Sequence, residues 1–132
     1  MTMAKAINWP VAFREEVLAE DTHKIHVALR LGDLYYANRY WVDGEVVDIR
    51  INHLKARKAT VVGDLKQVRI ADLSSEDFVA LKSTLKSVDA VVTFLATTYD
   101  QPVTSETLVT LVYYRNHEID PENCDVQDDP HL

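Results

Sequence analysis

Apolar and polar positions change period several times along the chain, and each change marks an element. Residues 4–8 read as a short first strand, and Pro10 then stands where a helix can begin without losing a hydrogen bond. From 10 to about 20, Phe13, Val17 and Leu18 fall at helical spacing with Arg14, Glu15 and Glu16 on the opposite face. Residues 23–31 alternate as a strand, with Ile25, Val27 and Leu29 on one side and Lys24, His26 and Ala28 on the other. Residues 32–51 read as two further strands joined by a tight turn at Asp43-Gly44, because a type I′ turn needs positive φ at both central positions. A second hairpin is predicted over 58–70, turning at Gly63-Asp64.

The period then becomes helical. Ser74 precedes two acids, Glu76 and Asp77, which is the pattern of a capped helix start, and Phe78, Leu81 and Leu85 follow at helical spacing. Val88, Val91, Val92, Leu95 and Tyr99 repeat every three or four residues, which predicts a second helix despite its β-branched content. Residues 106–115 carry apolar side chains on both faces and are placed as a central strand. Five or six mostly antiparallel strands with two or three helices make an α+β domain, a small curved sheet or barrel with helices plugging an end or covering one side.

Composition changes this picture in three ways. The chain of 132 residues, 47% hydrophobic, suits one domain over residues 1–117. Its net charge of −7 is uneven: residues 118–132 hold six acids and no Lys or Arg, which predicts an acidic, disordered tail and leaves the body near −1. Within the body, residues 50–69 hold Arg50, Lys55, Arg57, Lys58, Lys66 and Arg69 against Asp64 alone, a field able to hold an anion; the alternative is a strand edge protected by lysines. No apolar run is long enough to span a membrane, and the N-terminus lacks the pattern of a secretory signal, so a cytoplasmic protein without membrane partners is expected. The single Cys124 supports no internal disulfide.

At this point the residues resemble a known family. Phe13-Arg-Glu-Glu-Val-Leu-Ala19, Gly32-Asp33, Arg39-Tyr40 followed by Asp43-Gly44, Leu73-Ser-Ser-Glu-Asp77, Tyr99 and the strand over 107–114 are similar to the ASCH domain of the PUA-like superfamily. The resemblance is strongest to small bacterial ASCH proteins of the N4-acetylcytidine amidohydrolase type, and it covers most of residues 6–115. It implies a PUA-like curved sheet or barrel and a cleft between barrel and helices for RNA, a nucleotide or a modified nucleoside. In the amidohydrolases, a lysine shortly after the first helix, a nearby threonine and a glutamate near the later helix are thought to carry the hydrolysis. Here the first stretch runs Leu18-Ala-Glu-Asp-Thr-His-Lys24, and Ala80-Leu81-Lys82 has no glutamate.

Three functions are therefore weighed. As a binding module, the chain would use His26, Arg39, Tyr40, Arg50, Lys55, Arg57 and Lys58 as a cationic, partly aromatic cleft for RNA, nucleotide or nucleoside. Tyr36, Asn38 and Tyr40 share one face of the expected strand, Tyr35, Ala37, Arg39 and Trp41 the other, and either set can be core. As an amidohydrolase, it would use His23 as base, Lys24 or Arg39 as oxyanion donor and Thr22 as nucleophile or orienter, with Glu76 or Asp77 approaching from the helix. As a protein-interaction domain, its acidic tail would dock on a basic partner or on the chain's own basic stretch. No metal is expected, since His23 and His26 project to opposite faces of a strand and no third ligand is apparent, and no motif asks for a cofactor.

Overall fold

A computed structural model describes residues 5–126. Six strands form one open, mostly antiparallel sheet: β1 (Ala6–Trp9), β2 (His26–Leu31), β3 (Val46–Ile51), β4 (Leu54–Val61), β5 (Lys66–Arg69) and β6 (Leu108–Asn116). Among the described residues four helices accompany it: α1 (Arg14–Ala19), α2 (Leu34–Ala37), α3 (Ser75–Ala80) and α4 (Val88–Tyr99). The sheet order is β1-β3-β4-β6-β2, with β5 also paired to β6, and β1 runs parallel to β3.

The β6 strand organises the sheet. It pairs antiparallel with β2 along one edge and with β4 and then β5 along the other. Val109, Leu111, Val112 and Tyr114 are buried, so both faces of β6 are packed, as its two-sided apolar pattern predicts. The α4 helix forms where the helical period outweighs β-branched propensity, turning Val91 and Leu95 into the core.

Both predicted hairpins need correction. Residues 34–37 form the short helix α2 instead of a strand, with Ala37 N–H bonded to the Asp33 carbonyl and Asn38 N–H to that of Leu34. Arg39 takes a left-handed φ of 48° and reverses the chain. Tyr35 then stacks on Trp41 at 5.0 Å, and Tyr40 meets both edge-on. Aromatic packing within this loop replaces the expected ladder, leaving Trp41 buried and Tyr36 and Tyr40 exposed.

The chain also does not reverse at Gly63-Asp64. β4 and β5 run in the same sense beside β6, so residues 62–65 are an offset between collinear strands. The observed hairpin joins β3 and β4 at Asn52-His53, both with positive φ (49° and 67°), closed by Ile51 opposite Leu54.

Ser74 caps α3 as its sequence predicts. Its hydroxyl accepts the Asp77 amide, and the Asp77 carboxylate accepts the Ser74 amide. Asp77 also accepts from Tyr113 Oη at 2.6 Å and Lys66 Nζ at 3.1 Å. Burial alone would raise the Asp77 carboxyl, but the bonds from Tyr113, Ser74 and Lys66 outweigh it and hold it below the ordinary carboxylate range. Asp77→Asn is expected to cost about 2 kcal/mol at pH 7. Because the folded pKa is depressed, that stability is present above the unfolded carboxyl pKa of about 3.9 and is lost as pH falls through the folded value. Urea midpoints at pH 7 and below pH 3 check this: wild type and variant should converge in acid.

Candidate functional site

α1 ends at Glu20, and the turn between α3 and α4 carries Lys82. Glu16 fixes that turn against α1, its carboxylate accepting the Ser83 amide at 2.8 Å and hydroxyl at 2.9 Å. Buried Leu81 and Leu85 flank it, so Lys82 is carried inward and is 1% exposed. Its ammonium stands 2.5 Å from Glu20 Oε2, 3.3 Å from Tyr114 Oη and 4.1 Å from the Trp9 ring centroid. The other Glu20 oxygen accepts from Asn116 Nδ2 at 3.1 Å, and His26 Nδ1 lies 3.5 Å from Oε2.

The result is a mostly dry polar centre where α1, β2, β6 and the α3–α4 turn meet. Burial pulls the Lys82 pKa down even with Glu20 opposing it. His26 is also pulled down by burial, again against Glu20, which keeps its imidazole neutral at pH 7. His26 Nε2 and Asn116 Oδ1 are buried without a hydrogen-bond partner among the described residues, which leaves polar capacity at this centre.

Trp9 connects this centre to a cleft of about 210 Å³. The cleft opens between the two edge strands and α4: Asn8 and Trp9 come from β1, Leu29 and Arg30 from β2, and Phe94 and Tyr99 from α4. Across the gap Arg30 Nη2 donates to the Asn8 carbonyl at 3.3 Å, and the Tyr99 hydroxyl accepts the Leu31 amide at 3.4 Å. The sheet's unpaired edges are thus closed by side chains, which leaves a concave seat with aromatic walls.

The sequence-predicted residues are scattered relative to this arrangement. Thr22, His23 and Lys24 lie in the loop after α1, where the Asp21 carboxylate accepts the His23 and Lys24 amides at 3.0 and 2.8 Å. Thr22 and His23 share a surface groove with Glu20 and Arg57; Lys24 is exposed outside it. Arg39 lines a separate cavity with Trp41 and Asp64, and Tyr40 packs on Trp41 with the Lys5 ammonium over its ring. Glu76 is exposed, and Asp77 is committed to the α3 cap.

The basic stretch divides in the same way. Arg50, Lys55 and Lys58 gather around buried Asp48 at 3.7–4.0 Å. Arg57, one residue from Lys58, points to the other face and is buried. Lys66 pairs with Asp77, and Arg69 with Asp72 and Glu106. Arg39, Arg50 and the lysines do not share a cleft.

The acidic segment begins against β4: a small cavity is shared by Lys55, Arg57, Lys58, Glu118 and Asp120, and the Asp125 amide donates to the Lys55 carbonyl at 2.7 Å. Residues 127–132, the rest of the expected tail, lie outside the described residues.

Glu20, Lys82, Tyr114 and Asn116 were not singled out by sequence, nor were Trp9 and Arg30. Lys82 had one visible signal, a cation between two leucines at helical spacing. No group of three or more His, Cys, Asp or Glu able to hold a metal ion occurs among the described residues, and no helix there is long and apolar enough to cross a membrane.

No family model matches the chain, and no curated protein matches it in sequence. In three dimensions it is similar to the crystal structure of protein EF3133 from Enterococcus faecalis V583, described as DUF984. The TM-score is 0.60 at 11% identity, over 92% of this chain and 84% of that one. At that identity the likeness speaks to the fold.

Proposed function

We propose that the chain is an ASCH-type, PUA-like module that binds a small nucleobase-bearing ligand in the cleft between β1, β2 and α4. The observation that carries this reading is the cleft itself: a concave seat between sheet and helix, walled by Trp9, Phe94 and Tyr99, with Asn8 and Arg30 as polar contacts. Aromatic faces hold any base by stacking, and a few fixed polar groups orient it. A long RNA fits less well, because the cations of residues 50–69 are split among separate acids and the buried Arg57.

A second reading, amidohydrolysis of an acylated nucleoside, is favoured by one observation. The resemblance implies a lysine after the first helix and a glutamate near a later one; here Glu20 and Lys82 put the same two side chains in contact with their places exchanged. Glu20 opens onto the groove of Thr22 and His23 and would take a proton from the attacking water there, while Lys82 would hold the Glu20 carboxylate in place from behind.

One set of titrations tests both. Tryptophan fluorescence should report saturable binding of cytidine and N4-acetylcytidine, weakened about 10-fold or more in Tyr99→Ala. A ten-nucleotide RNA should bind no tighter than the nucleoside and with little salt dependence. A steep salt dependence would move recognition to a polyanion surface and away from the cleft. Incubation with N4-acetylcytidine should release cytidine in wild type and Lys24→Ala but not in Glu20→Gln. Absence of release in wild type removes the hydrolase reading and leaves the binding reading intact.

A further inference from the structure

We infer that Arg30 seats an anionic group, a phosphate monoester or a carboxylate, carried by the planar ligand of the β1–β2–α4 cleft. This inference rests on the cleft being the ligand site, and it adds the charge of that ligand.

The argument begins with the company Arg30 keeps. A guanidinium is charged at any physiological pH. Arg30 is half-buried in the cleft wall, and no Asp or Glu among the described residues forms an ion pair with it. Burial acts on it first, and the side chains whose electrostatics reach it are the phenols of Tyr99, Tyr35 and Tyr114, with no carboxylate among them. Several other buried or half-buried cations are answered by acids: Lys82 has Glu20, while Arg50 and Lys55 share Asp48. Arg57 makes no direct ion pair among the described residues, but the charges of Glu20 and Glu118 act on it.

Arg30 is also held in place. Nη1 donates to the Leu29 carbonyl at 2.8 Å and Nη2 to the Asn8 carbonyl at 3.3 Å, and its Cζ stands 5.8 Å from the Trp41 ring centroid. Two carbonyls occupy one hydrogen on each Nη, which leaves Nε–H and the remaining Nη hydrogens for a ligand. The fork is therefore oriented, only partly used and short of a counter-charge.

A desolvated cation without a counter-ion is costly, and an anion that enters with two parallel hydrogen bonds recovers that cost where a neutral carbonyl recovers only part of it. Lys82 does not compete for the anion, since Glu20 neutralises it behind the Trp9 ring. The cleft of about 210 Å³ suits a ligand no larger than a mononucleotide.

Calorimetric titration of the full chain with two matched pairs tests this: cytidine against cytidine 5′-monophosphate, and uracil against uracil-6-carboxylate. At least one anion should bind about 10-fold or more tighter than its neutral partner, and which one gains distinguishes phosphate from carboxylate. Arg30→Gln should abolish the gain, so that each anion binds that variant no tighter than its neutral partner does, and Arg30→Lys should keep part of it. Equal affinity within both pairs in wild type overturns the role of Arg30 while the cleft reading stands. Failure of all four ligands to bind overturns the cleft reading and this inference with it. Both of these outcomes are read on the wild-type chain, so neither depends on a variant that folds.

Discussion

Lys82→Met should lower the unfolding free energy by about 3–5 kcal/mol, the range found when one member of a buried ion pair is removed. The loss comes from Glu20, not from the missing ammonium as such. With Lys82 gone, a carboxylate that is 8% exposed retains only the Asn116 amide and the His26 imidazole as close partners. The double variant Glu20→Gln/Lys82→Met removes the stranded charge, and Gln can still accept from Asn116. It should recover to within about 1–2 kcal/mol of wild type, because replacing both members of a buried pair is often close to neutral. Urea unfolding at pH 7 with an unchanged m-value reads the difference directly. A single variant within about 1 kcal/mol of wild type would mean that water reaches Glu20 freely, and the dry centre on which the hydrolase reading depends would not exist.

The fold was legible where a local signal and its tertiary partner agree. Ser74 and Asp77 make a cap from residues three apart, and the period of α4 needs only one face to be buried. β6 announced its central place by apolar residues on both faces. The two glycine turns misled for a shared reason. Asp-Gly and Gly-Asp specify left-handed backbone, not what the chain meets afterwards. Here the two turns meet each other: Asp43 Oδ1 accepts the Gly63 amide at 2.7 Å, and the Gly44 amide donates to the Val61 carbonyl at 2.8 Å. Asp43-Gly44 is a real turn assigned the wrong strands, while Gly63-Asp64 is a bend between collinear strands. The true hairpin at Asn52-His53 contains no glycine, and Asn8 Oδ1 steadies it by accepting the His53 amide at 2.7 Å.

The site was less legible because its members are far apart in sequence and their chemistry depends on burial. Glu20 and Lys82 are 62 positions apart, and nothing in either neighbourhood names the other. The cationic stretch over 50–69 was visible as a sum of charge, but β geometry sends adjacent residues to opposite faces, so a sum does not make a surface. Asp48, just outside that stretch, then gathers three of its cations. Arg30, a partly buried cation with no ion pair among the described residues, sits in a strand whose alternation drew attention to Lys24 and His26 instead.

Arg57 shows what such a charge does when it is not a ligand contact, and its replacement is the other large effect expected. The side chain is 4% exposed and donates to three carbonyls: Nη1 to Val17 at 3.0 Å and Glu20 at 2.9 Å, and Nη2 to His117 at 2.6 Å, with Nε reaching the same His117 oxygen at 3.1 Å. Val17 lies in the last turn of α1 and Glu20 is its C-cap, positions whose carbonyls have no partner within the helix. His117 follows β6, so one guanidinium ties the end of α1 to the end of the central strand. Arg57→Met keeps the stem's volume but leaves these carbonyls bare, at about 1 kcal/mol or more for each, so a loss of about 3 kcal/mol is expected. Arg57→Lys should recover little, because an ammonium cannot reproduce the planar fork that reaches α1 and His117 together. Urea unfolding measures the stability, and hydrogen exchange locates it: protection should fall first in α1 and around residues 116–118, with β1 and β3 keeping theirs. If Arg57→Lys matched wild type in both measurements, Arg57 would be acting as a mobile charge at the surface groove it lines with Thr22 and His23, and a binding role there would be restored to it.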